Sequence, residues 1–141
     1  QLSAEDRNAG VELVALDDLL SRSDVVTLHS RVTAETRGLI GKDTIARMKP
    51  GAIFVNTARG PIVDEQALLD ALQQRRIAGA GLDVFSVEPL PVDHPFRKLD
   101  NLVLTPHLGY ATQDGLRIHY GQMVEAIDAW TTGGELPRKL A

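Results

Sequence analysis

The sequence predicts an α/β fold: a parallel sheet with flanking helices. Three observations carry this. Short apolar runs recur along the chain at Asp24 to Leu28, Ala52 to Asn56, Ala78 to Phe85 and Leu102 to Leu104. The stretches between them hold apolar residues at helical spacing, and strands alternating with helices are the pattern of parallel sheets. The strand runs are almost continuously apolar, as expected of a sheet covered on both faces.

Taken in order, the polar stretch Gln1 to Gly10 reads as a loop or a frayed helix. Val11 to Val14 alternates and is read as a short strand. Leu16, Leu19 and Leu20 share a face, which makes Leu16 to Ser21 a brief helix. The strand Asp24 to Leu28 ends at His29-Ser30, and a loop follows through Arg37. Ile45 and Met48 mark a helix over Gly41 to Met48, with Lys49 suited to its C-terminal dipole and Pro50-Gly51 stopping it. Asp64 is an N-cap for Glu65 to Gln74, whose buried face is Ala67, Leu68, Ala71 and Leu72. Gly79 and Gly81, inside the third strand, suggest close approach of a helix or ligand to the backbone. Pro89, Pro91 and Pro95 make Ser86 to Asp100 an extended loop. Thr112 or Asp114 caps a final helix to about Thr131, striped by Leu116, Tyr120, Met123, Ile127 and Trp130.

Composition narrows the function. The chain has 141 residues, 43% hydrophobic and 24% charged, an ordinary balance for one domain. A net charge of -4 argues against nucleic acid as a partner. There is no Cys, hence no disulfide framework and no thiolate nucleophile or metal site; this fits a reducing cytoplasm, the expected location. No run approaches the ~18 apolar residues of a membrane span, and no signal peptide is visible. Gln1 in place of Met suggests a processed product or a piece of a longer protein.

Three strand runs end in chemistry. Arg59 follows the second, Glu88 the third and His107 the fourth. Ligands of open parallel sheets bind beyond the carboxyl ends of the strands, and neighbouring strands are about 5 Å apart. Each residue alone has an ordinary reading: a surface Arg, a solvated loop carboxylate, a structural His. Three at equivalent places point to a site. Arg offers a planar fork for a carboxylate, His exchanges a proton near neutral pH, and a carboxylate bonded to that His fixes its orientation. Together they suit a 2-oxo acid whose carbonyl oxygen is protonated, and the missing reductant implies a hydride-carrying cofactor. Asp83, a carboxylate within an apolar run, needs a partner, and a ligand amide is one candidate. His29 ends a strand at the same edge. His94 is expected to be structural and His119 to face solvent. No pair has metal-ligand spacing, so no metal is expected.

Seven stretches resemble one family. They are Thr36-Arg37-Gly38-Leu39-Ile40, Met48-Lys49-Pro50-Gly51-Ala52, Asn56-Thr57-Ala58-Arg59-Gly60, Val63-Asp64-Glu65, Gly81-Leu82-Asp83-Val84-Phe85, Glu88-Pro89-Leu90-Pro91 and Leu104-Thr105-Pro106-His107-Leu108-Gly109. In that order the chain resembles the D-isomer-specific 2-hydroxyacid dehydrogenases, in the second half of their NAD-binding domain. The resemblance implies a Rossmann-like sheet and hydride transfer between the nicotinamide of NAD or NADP, NAD being favoured, and C2 of a small D-2-hydroxy acid. It implies that Arg59 holds the substrate carboxylate, that His107 is the acid/base and that Glu88 is its partner. It also implies that His29, Thr36, Thr57, Ala58, Arg59, Asp83, His107 and Gly109 line the cofactor cleft, and that the protein is a homodimer. Glu88 argues against the formate-oxidising branch, which has Gln there. Arg31 departs from the Pro often found at that place.

The resemblance also implies an incomplete domain. The first two strands, the G-x-G-x-x-G turn and the substrate-binding domain have no counterpart in residues 1–141. With its central neighbours missing, the edge strand Asp24 to Leu28 is expected to pair with another chain, to swap elements, or to leave Val11 to Val14 outside the sheet. The alternative functions are an inactive fragment and an NAD-sensing protein-binding module of the C-terminal-binding-protein corepressor type.

Overall fold

The strands are laid down strictly in chain order. The computed structural model describes residues 3–138, and its elements are α1 (Ala4–Asn8), α2 (Leu16–Arg22), β1 (Val25–Leu28), α3 (Lys42–Arg47), β2 (Ile53–Asn56), α4 (Glu65–Gln73), β3 (Gly79–Leu82), β4 (Leu102–Leu104) and α5 (Gln113–Thr131). Two 3-10 turns, Gly60–Ile62 and Pro95–Lys98, complete it. The sheet is parallel, in the order β1-β2-β3-β4. The chain divides into two units, Gln1–His107 and Leu108–Ala141.

Within the first unit, one sheet face makes the core. Val26, Leu28, Phe54, Ala80 and Leu82 are buried, together with Leu20, Ile45, Met48, Leu68 and Leu72 from the helices. The opposite face bears Val25, Ile53 and Val103, which are 58%, 38% and 68% exposed. The expectation of a sheet covered on both faces is therefore corrected: among the described residues only one face is fully buried. The exposed face still carries β-branched residues, which is why the strands read as continuously apolar.

Local chemistry fixes the helix ends. The Asp64 carboxylate accepts the backbone N–H groups of Gln66 and Ala67, satisfying two of the otherwise unpaired donors of α4. Thr112 caps α5 by accepting from the Gly115 N–H, which decides between the two candidates. Lys49 pairs with Asp24, so its role is an ion pair between the α3 exit and the β1 entrance. In the second unit, the stripe on α5 is present but no described residue of that helix is buried; Met123 and Trp130 are 58% and 72% exposed.

Three further expectations change. Val11 to Val14 forms no strand and lies outside the sheet, with Leu13 75% exposed. Exclusion of Val11 to Val14 from the sheet is one of the three outcomes anticipated for a missing neighbour; alternation alone does not hold a strand that has no ladder to join. The third strand stops at Leu82 instead of running to Phe85, because Asp83 donates one more ladder bond to Asn56 O and the chain then turns away. At Gly79, what comes close is the Asn101 carbonyl, 2.8 Å from where a Cβ would lie, while nothing lies within 4 Å of such an atom at Gly81. Gly79 is thus explained by a backbone carbonyl and not by a helix.

Phe54 sits at the centre of this core with no exposure. Phe54→Ala should cost about 3–5 kcal/mol of unfolding free energy. Val25→Ala, on the exposed face, should cost under about 1 kcal/mol. Urea unfolding of the two variants measures the contrast.

Candidate active site

The parallel register sets the site. Leu28 pairs with Asn56, Asn56 with Leu82, and Leu82 with Leu104, so four strands end at one level and four loops leave side by side. This is the ligand-binding edge of an open α/β sheet.

Asn56 ends β2 and is 1% exposed. A buried amide must be bonded, and this one is bonded at both ends. Its Oδ1 accepts the Ala58 N–H and its Nδ2 donates to the Arg59 carbonyl, each at 3.0 Å. Asn supplies an acceptor and a donor in one planar group, so it moulds the turn that presents Arg59. The Arg59 side chain is exposed, and its Nη1 donates to the Ala58 carbonyl.

Gly60 brings this loop against the next. A Cβ there would lie 2.0 Å from the Phe85 carbonyl carbon and 2.4 Å from the Ser86 nitrogen. Any side chain would push the two loops apart. Glu65, at the start of α4, fastens the same junction: its Oε1 accepts the Ser86 N–H at 2.6 Å.

Glu88 lies three residues beyond Phe85 and uses both carboxylate oxygens. Oε1 accepts the Phe85 N–H at 2.8 Å, and Oε2 lies 2.7 Å from His107 Nδ1. The imidazole is thereby fixed on its Nδ1 side. His107 has φ +57°, in the left-handed region that non-glycine residues rarely occupy. That turn follows the last strand at once, since the Thr105 N–H still donates to Leu82 O. The side chains of His107 and Glu88 are 39% and 34% exposed, so the pair is open to a ligand.

A cavity of about 480 Å³ opens beside the pair, walled by Phe85, Leu90, Leu104 and Pro106. Arg97 borders it and holds the surrounding loop by donating to the Leu90 and Pro91 carbonyls. Arg59 lines a second cleft of about 500 Å³, between residues 29–32 and 57–59. The structure thus brings Glu88 and His107 into contact and places Arg59 on the adjoining loop, facing a cleft shared with His29, Thr57 and Ala58.

The other predicted residues are placed as follows. Asp83 is 5% exposed and accepts the Thr105 hydroxyl. Thr36 does not line either cavity; its hydroxyl accepts the Thr33 N–H and donates to the Arg31 carbonyl, so it shapes the loop after β1. His29 bonds Thr27 Oγ1 through Nε2. Gly109 belongs to the second unit, in the turn where the Ala111 N–H donates to Leu108 O. His94 is structural, capping the 3-10 turn at Phe96 N, and His119 is exposed. Among the described residues no cluster of His, Asp and Glu could hold a metal ion, and no helix is long and apolar enough to cross a membrane.

Sequence reasoning did not single out Asn56, Glu65 or Gly60 as builders of the site. Asn56 left a readable signal: a polar residue closing the apolar run Ala52 to Val55, placed as Asp83 is after Leu82. Glu65 and Gly60 left none, since their work depends on contacts with residues 85 and 86.

Comparison with known proteins identifies the family. Residues 1–109 match the family model described as D-isomer specific 2-hydroxyacid dehydrogenase, NAD binding domain. A glyoxylate reductase of Korarchaeum cryptofilum is 46% identical over 135 residues, covering 96% of this chain and 40% of that protein. A D-isomer specific 2-hydroxyacid dehydrogenase from Xanthobacter autotrophicus Py2, solved in complex with NADPH and MES, superposes with a TM-score of 0.69 at 42% identity, covering 89% of this chain and 51% of that one. A D-lactate dehydrogenase with NAD+ from Lactobacillus jensenii gives a TM-score of 0.79 at 30% identity, covering 91% and 42%. The chain belongs to the D-isomer-specific 2-hydroxyacid dehydrogenase family, in its NAD-binding domain. It spans 40% of the length of that glyoxylate reductase.

The Glu88 carboxyl is held below its usual range, first by its bond to His107 and then by the Phe85 N–H, with the charges of His107 and Arg59 adding to both. A lowered folded-state pKa means that this stabilisation is complete above the unfolded value, near 4.5, and is lost as pH falls through the lower folded value. Exposure of a third of the side chain screens it. The difference in Tm between wild type and Glu88→Gln should therefore hold at neutral pH and shrink only in acid. A difference that widened on acidification would contradict the arrangement.

Proposed function

We propose that the protein carrying this chain is an NAD(P)-dependent D-2-hydroxyacid dehydrogenase that interconverts a small 2-oxo acid and its D-2-hydroxy acid. The observation that carries this reading is the Glu88–His107 pair, locked at 2.7 Å beyond the end of β4, with Arg59 on the loop beyond β2.

The roles follow from the groups. The Arg59 guanidinium takes the substrate carboxylate in a two-pronged hydrogen bond, which orients C2 and its oxygen. His107 gives a proton to the carbonyl oxygen through Nε2, the nitrogen that Glu88 does not hold, and takes it back in the oxidation. The Glu88 carboxylate stabilises the imidazolium and keeps Nδ1 as its donor. The nicotinamide group, when bound, supplies or accepts the hydride. The residues fit such a group: the cleft beside Thr57, Ala58 and Arg59 lies at the strand carboxyl ends, and the buried Asp83 carboxylate suits a carboxamide N–H. His29, Thr36, Gly109 and the backbone near His107 complete the proposed cofactor set. We take NAD as the cofactor, on the wording of the family model. Residues 1–141 form part of the cofactor domain, with the substrate-binding domain elsewhere in the protein.

Incubating the full-length protein with NADH or NADPH and glyoxylate, hydroxypyruvate or pyruvate tests the reading. Oxidation of either cofactor is expected with at least one of these acids, and none with any would defeat it. His107→Ala should lower kcat about 10²- to 10⁴-fold. Arg59→Ala should raise KM at least about tenfold by removing a charged bidentate contact. Wild-type kinetics in both variants would remove the site assignment. We further propose a cytoplasmic homodimer. Light scattering of the full-length protein should give twice the monomer mass, and a monomer at all concentrations would refute this.

A further inference from the structure

Arg31 has no part in the mechanism above, yet it stands where Arg59 stands. Leu28 and Asn56 are paired across β1 and β2, and each arginine lies three residues beyond its member of that pair. Both line the same cleft of about 500 Å³. No Asp or Glu lines it. Elsewhere the exposed arginines Arg22, Arg47, Arg75 and Arg138 are each paired with a carboxylate and Arg97 with two backbone carbonyls, while Arg37, outside this cleft, has no ion pair among the described residues. Among the described residues the Arg31 guanidinium makes no hydrogen bond or ion pair, and that of Arg59 donates only to the Ala58 carbonyl. Two like charges in one concave site repel each other, and an anion between them relieves the repulsion.

The root of Arg31 is also built. The Thr36 hydroxyl donates to the Arg31 carbonyl at 2.6 Å while accepting the Thr33 N–H at 2.8 Å. The loop is thus tied back on itself at the residue that faces the cleft. A guanidinium on a fixed root loses less freedom on binding than one on a mobile loop.

We infer that Arg31 is a second anion-binding residue of this cleft, taking an anionic oxygen group of the bound ligand other than the carboxylate assigned to Arg59. The inference rests on the proposed oxidoreductase reading for the role of Arg59. Two sources carry this chemistry: the diphosphate of the dinucleotide, and a second anionic group on the 2-oxo acid.

The test is direct binding to the full-length protein, with Arg31→Gln and Arg31→Lys beside the wild type. Fluorescence titration with NADH reports the cofactor; calorimetric titration compares monoanionic glyoxylate with dianionic oxaloacetate. If the diphosphate is the source, Arg31→Gln raises the Kd for NADH about tenfold, the scale of one charged hydrogen bond. If the substrate is the source, Arg31→Gln lowers the preference for oxaloacetate over glyoxylate about tenfold. In either case Arg31→Lys recovers part of the loss. The inference is overturned if Arg31→Gln, with an unchanged thermal midpoint, moves neither quantity by more than twofold. None of these readouts needs turnover, so a protein that binds as described but reduces no 2-oxo acid would refute the catalytic reading and leave Arg31 in place.

Discussion

Every contact in the site is set by the level at which the strands stop. Asn56, Leu82 and Leu104 are in register, so the loops that follow begin from a common edge and their short side chains suffice to link them. Gly60 takes the backbone of one loop onto the backbone of the next, and Glu65 adds a hydrogen bond at the same place. Glu88 then joins that second loop to the turn after β4. The three loops form a chain of contacts in which each fixes its neighbour. A slip of one residue in any strand would turn its buried side chains outward and break this chain at once.

The electrostatics are local as well. The protein is acidic overall, at -4, yet the cleft at the edge of β1 and β2 presents two guanidinium groups and no carboxylate. Most acidic side chains in ion pairs lie on helices or loops away from it, as with Asp17, Asp24 and Asp100. The Glu88 carboxylate is held by its own partners, a backbone N–H and an imidazole. The field at this edge is consequently set by the loops and not by the net charge, and it favours small anions.

Much of this was legible in the residues. The helices were, because Asp64 and Thr112 announce their caps and the apolar spacing follows. So was the pairing of Glu88 with His107, since two such groups past adjacent strands have little else to meet. What could not be read depended on neighbours far away in the chain. Val11 to Val14 alternates like a strand, but strand formation needs a ladder. The reason for Gly79 is the Asn101 carbonyl, and the reason for Gly60 is the Phe85 carbonyl; neither sits near its glycine in sequence. The separation of Arg59 from the Glu88–His107 cavity was also hidden, because it depends on the direction the loop takes and not on where the strand stops.

The left-handed backbone of His107 has a consequence for how such a protein changes over time. A histidine at φ +57° carries a conformational cost of about 1–2 kcal/mol that Gly would avoid and Asn would reduce. Drift or laboratory evolution screened only for thermal resistance would be drawn to those replacements, and each would discard the imidazole. With His107 as the proposed acid/base, the position is a point where selection for robustness and selection for chemistry pull in opposite directions. A family member that had given up its reaction while keeping its fold would be expected to record that loss here first.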